Sequence, residues 1–235
     1  MLRGVFFDAG NTVVFPDYSI YRDIAVALGA EADIDGVVLA EARARTAFER
    51  AVAASATGGV MRYWPVYYTP FYEELGVPAG AIPEAIERTR AANDAGLGIW
   101  KVPVEGLEDT LGALRRRGLA VGIVSNSDGR LEQRLGEIGI ADRFDFVIDS
   151  AVVGVSKPDP RIFRLALDRA GLAGSDAVYV GDYYEVDVVG SRAAGMAPVL
   201  FDPVGAYDAV DCPVVTRFGD VVGVVDDLMS GRRRA

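Results

Sequence analysis

Five short apolar runs, each closed by a polar residue, constrain this chain more than any other feature in it. They are Leu2–Phe7, Ala120–Val124, Phe144–Ile148, Ala177–Val180 and Pro198–Phe201. Runs this short and this continuously apolar suit strands buried on both faces of a sheet. Between the last four lie segments with helical spacing. Leu107, Leu111 and Leu114 share a face before Gly118, and Leu131, Leu135 and Ile138 do so before Gly139. Ile162, Leu165, Ala166 and Arg169 precede Gly171, and Val188 to Ala194 lead to Gly195. Strand and helix in alternation predict an α/β fold, a parallel sheet with helices on both faces.

The residues that end the runs are Asp8, Ser125 with Asn126, Asp149 with Ser150, Asp182 and Asp202. In a parallel sheet these ends share one edge, and ligands bind outside that edge. Side chains remote in sequence are therefore expected to meet in one crevice.

The first and second runs are separated by far more chain than a normal connection uses. The intervening pattern is helical. Tyr21, Ile24, Ala25 and Leu28 mark one helix. Val37, Ala40, Ala44, Ala47, Phe48 and Ala51 mark a longer one, with a break at Gly58 and Gly59. An aromatic stretch follows (Tyr63, Trp64, Tyr67, Tyr68, Phe71 and Tyr72) with Pro65 and Pro70 inside it, and Ile82, Ile86 and Thr89 mark a last helix up to Gly96. We expect residues 1–15 with 103–235 to form the sheet domain, and 16–102 to form an inserted all-α domain that acts as a lid. The end of the chain, Gly231–Ala235, is expected to fray.

Composition narrows the chemistry. A net charge of -10 argues against nucleic-acid and membrane partners, both polyanionic. The chain has one cysteine, Cys212, so no internal disulfide forms, and no membrane-length apolar stretch occurs. A cytoplasmic enzyme is the default expectation. Histidine is absent, which removes histidine triads, histidine bases and most zinc sites. The only lysines are Lys101 and Lys157. An acidic chain that binds an anion needs a bound cation or a cradle of backbone N–H groups.

Four pieces fall at the expected strand ends. They are Phe7-Asp8-Ala9-Gly10-Asn11-Thr12, Val124-Ser125-Asn126, Ser156-Lys157-Pro158-Asp159-Pro160, and Gly181-Asp182-Tyr183-Tyr184-Glu185-Val186-Asp187-Val188. In content and order they resemble the haloacid dehalogenase superfamily, and the helical insert after the first piece resembles the C1-type cap of its subfamily I. The resemblance covers nearly the whole chain. It implies a Rossmann-like core and a hydrolase, with Asp8 as a nucleophile that forms a covalent aspartyl intermediate.

The resemblance also implies a Mg²⁺ site built from Asp8, the main-chain carbonyl of Gly10, Asp182 and Asp187. The physics agrees. Carboxylates about 5 Å apart repel by roughly 3 kcal/mol per pair at an effective dielectric of 20. A hard divalent cation with oxygen ligands relieves that. Ser125, the N–H of Asn126 and Lys157 would bind the phosphoryl oxygens. Thr12, grouped with these, would brace the turn through its hydroxyl, and Gly10 and Asn11 suit backbone at positive φ. Arg62, Tyr63, Trp64, Tyr67 and Tyr68 either line the mouth of the site or form the insert's own core, the latter being the simpler expectation. The expected partner is a small phosphorylated substrate.

The chain departs from the family at Gly10. Phosphatases of the superfamily usually carry there a second Asp that protonates the leaving alcohol, help worth roughly 10²–10⁴ in rate. Either the leaving group needs little protonation, or Glu185 or an insert residue supplies the proton through water, or the reaction is not phosphoryl transfer. Metal-independent haloacid dehalogenases lack this Asp, but usually also lose the acidic pair that is kept here as Asp182 and Asp187. Phosphonatases use an insert lysine, and none lies between Val13 and Trp100. A non-catalytic member that binds a phospho-ligand or a protein is the remaining alternative. A receiver domain is disfavoured because the fifth strand ends in Phe201-Asp202-Pro203, without a lysine.

Overall fold

A computed structural model describes residues 1–53 and 64–231, with side chains for 1–49 and 65–231. In chain order the elements are β1 (Gly4–Phe7), β2 (Val14–Pro16), α1 (Tyr18–Ala27), α2 (Ile34–Ala53), α3 (Trp64–Glu74) and α4 (Ile82–Asp94). Then come β3 (Trp100–Pro103), α5 (Leu107–Arg116), β4 (Ala120–Ser125), α6 (Leu131–Glu137), β5 (Phe146–Asp149), α7 (Ser150–Val153) and α8 (Pro160–Ala170). The last are β6 (Ala177–Gly181), α9 (Val189–Ala193), β7 (Ala197–Phe201), β8 (Val214–Val215) and α10 (Val221–Met229). The chain divides into two compact units, Met1–Phe15 with Pro103–Ala235, and Pro16–Val102.

The first unit holds a six-stranded sheet in the order β5-β4-β1-β6-β7-β8, parallel throughout. It is an α/β Rossmann-like fold. β1 lies between β4 and β6, with Phe7 opposite Ile123 on one side and Val180 on the other. Strand alternation divides the core in two. Val5 and Phe7 join Val121, Ile123, Val178 and Val180 beneath Leu111, Leu114, Val221 and Val224. Phe6 and Tyr179 turn the opposite way, to Phe146, Ile148, Ile162, Phe163, Ala166 and Leu167. Each fully buried large apolar side chain contributes about 1.5–3 kcal/mol.

Local sequence explains the helices that cover the sheet. In α8, Asp159 caps the start by accepting from the Arg161 N–H, Pro160 occupies the first turn, and Gly171 ends the helix in the left-handed region. Its buried face is Ile162, Phe163, Ala166 and Leu167. Leu165 and Arg169, expected on that face, are not on it; Leu165 is exposed. With Phe163 and Leu167 available, the buried stripe runs one residue round the helix from the expected one. Each of the five expected strands is displaced at an end by a residue or two, most at β1 and β5. β1 begins at Gly4 rather than Leu2, and Phe144 lies before β5.

The second unit packs α1 to α4 around Tyr21, Ala25, Val37, Ala40, Ala44, Tyr68, Phe71, Tyr72, Ala85 and Ile99. Asp17 caps α1 through the Ser19 N–H and pairs with Lys101 at 3.0 Å. α3 runs through the aromatic stretch with Pro70 inside it. The expected break at Gly58 and Gly59 lies outside the described residues, as do Arg62 and Tyr63, the Trp64 side chain and all of the expected frayed end but Gly231. No helix among the described residues is long and apolar enough to cross a membrane.

Candidate active site

The sheet edge brings three carboxylates together. Asp8 directly follows β1, and its N–H continues the ladder by donating to the Val180 carbonyl at 2.9 Å. Asp182 directly follows β6, the adjacent strand. Asp187 comes from the π-helical turn Tyr184–Val188 just beyond. Ligand oxygens of Asp8, Asp182 and Asp187 lie within 4.8 Å of one another, and all three residues are buried. Glu185, by contrast, is exposed.

Backbone geometry makes room for this. The Asp187 carboxylate lies against the Cα of Gly181. A Cβ at that position would stand 2.4 Å from the carboxylate, so any larger residue would displace the acid. The turn is closed from both sides, by the Asp187 N–H to the Tyr183 carbonyl and by the Tyr183 N–H to Asp187 Oδ2 at 3.0 Å. Tyr207 adds a staple: its hydroxyl accepts from the Tyr184 N–H at 3.3 Å and donates to the Asp182 carbonyl at 3.2 Å.

One cation sits among these acids. Lys157, in the loop between α7 and α8, donates from Nζ to Asp8 Oδ1 at 2.5 Å and to Asp187 Oδ1 at 2.7 Å. Burial alone would push this ammonium down. Asp187 and Asp8 outweigh it and hold Lys157 well above the usual lysine range. For Asp187, burial pushes the carboxyl up, Lys157 pulls it back and Asp8 adds to the rise; the net is upward. Three acids against one ammonium leave an excess of two negative charges if all three ionise (3 − 1 = 2). The buried oxygen-only donor set fits a hard divalent cation that would balance it.

The other expected residues surround this centre. Ser125 closes β4, the strand beside β1, and is buried. The Asn126 side chain clamps the Lys157 backbone. Its Oδ1 accepts the Lys157 N–H at 2.8 Å, and its Nδ2 donates to the Lys157 carbonyl at 2.9 Å. In the turn after Asp8, Asn11 takes φ 54° and Gly10 does not take positive φ. Thr12 is buried, but its hydroxyl does not brace the turn as expected: it has no hydrogen-bond partner among the described residues, and the turn is closed instead by backbone N–H groups, that of Thr12 among them, donating to the Ala9 carbonyl. Asp149 and Asp202 do not join the acids. Asp149 accepts from the N–H groups of Gly129, Leu131 and Ala151, and Asp202 from those of Ala206 and Tyr207, so both carboxylates tie down their own loops.

A family model described as haloacid dehalogenase-like hydrolase matches residues 2–195. The chain belongs to that family. Among curated relatives of this hydrolase, haloacid dehalogenase-like hydrolase domain-containing protein 3 of Mus musculus is 33% identical over 209 residues, which cover 85% of this chain and 81% of the relative. A phosphoserine phosphatase of Thermus thermophilus is 32% identical over 222 residues, covering 86% and 89%. Among solved structures, the HAD-hydrolase YfnB from Bacillus subtilis, bound to magnesium, superposes with a TM-score of 0.68 at 16% identity, covering 96% of this chain and 99% of that one. At that identity the likeness concerns the fold.

Sequence reasoning missed two parts of this hydrolase's site. The Asn126 clamp was legible only as a polar residue after a strand. Tyr179 was hidden inside an apolar run, yet its hydroxyl lies 3.1 Å from Lys157 Nζ.

Proposed function

We propose that this hydrolase is a Mg²⁺-dependent phosphatase of small phosphorylated metabolites, working through an aspartyl-phosphate at Asp8. The observation that carries this is the buried cluster of Asp8, Asp182 and Asp187 with Lys157 bridging two of its members. The phosphatase name of the Thermus relative supports it. In this reading residues 16–102 are a subfamily I, C1-type helical cap, and 1–15 with 103–235 are the catalytic core.

Asp8, Asp182, Asp187 and the Gly10 carbonyl would hold the Mg²⁺, which when bound supplies charge neutralisation at the phosphoryl oxygens. The Asp8 oxygen not held by Lys157 attacks phosphorus, the bond to the leaving oxygen breaks, and the leaving group departs as its oxyanion with the bonding electron pair. Lys157 orients the nucleophile through its hydrogen bond to Asp8 and draws off charge from the transferring group, while Ser125 and the Asn126 N–H bind phosphoryl oxygens. Water then attacks the phosphorus of the acyl phosphate, which releases inorganic phosphate and restores Asp8. Gly10 has no proton to give, so the leaving oxygen must be stable without one. The reading therefore favours aryl or acyl phosphates over alkyl esters. The acidic trio argues against a metal-independent dehalogenase, which has no use for two further buried carboxylates.

The test compares p-nitrophenyl phosphate with glycerol phosphate, with and without Mg²⁺. We expect Mg²⁺-dependent turnover that is faster on the aryl ester. Gly10→Asp should raise the alkyl rate by about 10²-fold, the lower end of general-acid help. Equal rates on the two esters would remove the leaving-group argument. No turnover of any phosphomonoester would overturn the phosphatase reading and favour a binding role.

A further inference from the structure

The ammonium of Lys157 has three N–H donors. Two go to Asp8 and Asp187, and the third finds the Tyr179 hydroxyl at 3.1 Å. That hydroxyl has a single proton, and it is spent on the Val124 carbonyl at 2.7 Å. The direction of the contact is thereby fixed: Tyr179 accepts from Lys157 and cannot donate to it. The ring is immobilised too. It is buried, and Phe163 meets it edge-on with centroids 4.8 Å apart at 85°.

We propose that Tyr179 is a positioning residue. Its hydroxyl, anchored on the backbone of β4, holds the third N–H of Lys157 and so keeps the ammonium directed at Asp8 and Asp187. The inference rests on the phosphatase reading for its effect on turnover, but the positioning itself does not. The arrangement links three sheet strands through one neutral group. β6 supplies the tyrosine, β4 the anchoring carbonyl, and Asp8 at the end of β1 receives the aimed charge. A third carboxylate in place of the hydroxyl would compete for the ammonium, and an apolar residue would leave one buried N–H without an acceptor. A phenol satisfies the donor without adding charge.

With only two lysines, the full chain labelled with [¹⁵N]lysine reports on both ammonium groups separately, and Lys101 serves as reference. In the wild type we expect a Lys157 ammonium that exchanges slowly with water, beside a faster Lys101. Tyr179→Phe should accelerate exchange at Lys157 about tenfold or more and leave Lys101 unchanged, since hydrogen bonds to charged groups are the strong ones. Phe163→Leu loosens the same core but keeps the hydroxyl. It should lower the melting temperature and leave Lys157 exchange as in the wild type. Unchanged exchange in Tyr179→Phe, or equal acceleration in Phe163→Leu, would overturn the proposal.

With p-nitrophenyl phosphate and Mg²⁺, Tyr179→Phe should lower kcat about tenfold with KM little changed, the pattern of an interaction that acts in the transition state. An intact kcat would overturn the proposal. Wild-type protein inactive on every phosphomonoester would sink the phosphatase reading, and ammonium exchange alone would then decide on Tyr179. If Tyr179→Phe fails to fold, 3-fluorotyrosine at position 179 keeps the shape and weakens the acceptor. It should accelerate Lys157 exchange in the same direction, and no change there would equally overturn the proposal.

Discussion

Buried tyrosines in the two units have opposite employments. In the helical unit, Tyr21 and Tyr68 face each other with hydroxyls 3.1 Å apart, and Tyr72 pairs with the Thr89 hydroxyl. Their rings meet Phe71 and one another at centroid distances of 4.9 to 6.2 Å. Burial pushes Tyr21 and Tyr68 well above the usual phenol range and Tyr72 up to about 12. In the sheet unit, burial raises Tyr179 as well, but its partners are a backbone carbonyl and a charged ammonium. Depth and a shifted pKa are thus common to both places. What separates packing from function is the charge on the partner, and that is the more useful signal when perturbed groups are surveyed for active sites.

The comparison can be broken most directly at Lys157. Lys157→Met should reduce Mg²⁺-dependent turnover to background. It should also cost about 3–5 kcal/mol in denaturant unfolding without added metal, because two buried acids lose their cation. Unfolding at wild-type denaturant concentration would show that the cluster is not held by its charge. On the helical side, Tyr68→Phe leaves the Tyr21 hydroxyl without its partner and should cost about 1–3 kcal/mol, with kcat unchanged. The double variant Tyr21→Phe with Tyr68→Phe removes both polar groups and should recover most of that loss. No such compensation exists at Tyr179, whose partners cannot be made apolar together. A kcat that falls with Tyr68→Phe would erase the distinction between the two regions.

The smallest effect concerns the second lysine. Asp17 is lowered from 3.8 by its Ser19 hydrogen bond, against burial, with help from Lys101. A depressed carboxylate stabilises the fold above its unfolded pKa, and that contribution is lost as pH falls through the folded value. Asp17→Ala should therefore cost about 1 kcal/mol at pH 7 through loss of the cap. The gap to wild type should narrow below pH 3.8, the carboxylate's ordinary value. Urea midpoints at both ends of that range would show it, and a gap that persists in acid would assign the effect to packing.

The sheet was legible because buried parallel strands leave an unbroken apolar signature, and Asp8 and Asp182 were legible because each stands just beyond such a run, Asp182 after a single glycine. Asp187 needed the family pattern, since the π-helical turn that returns it to Asp182 has no periodic signal. The same logic explains what stayed hidden. A tyrosine inside an apolar strand reads as core, and only the fold reveals that the inward side of β6 at Tyr179 faces Lys157. Asp149 and Asp202 look like site acids by position, yet loop N–H groups take them up. The short strands β2, β3 and β8 carry too few residues to show alternation. In α3, Pro70 argues for a break, but burial of Tyr68, Phe71 and Tyr72 outweighs the lost backbone hydrogen bond.

Asp8 and Asp182 leave neighbouring strands one residue apart in register, so their backbone separation is inherited from the sheet itself, from the pitch of about 4.8 Å between strands and one residue of rise along them. No side-chain contact has to measure that gap. Drift elsewhere in the sequence can then reshape loops and the helical insert freely while the gauge of the acidic pair stays constant. That is one physical route by which a chain sharing 16% of its residues with YfnB still superposes on it along nearly its whole length.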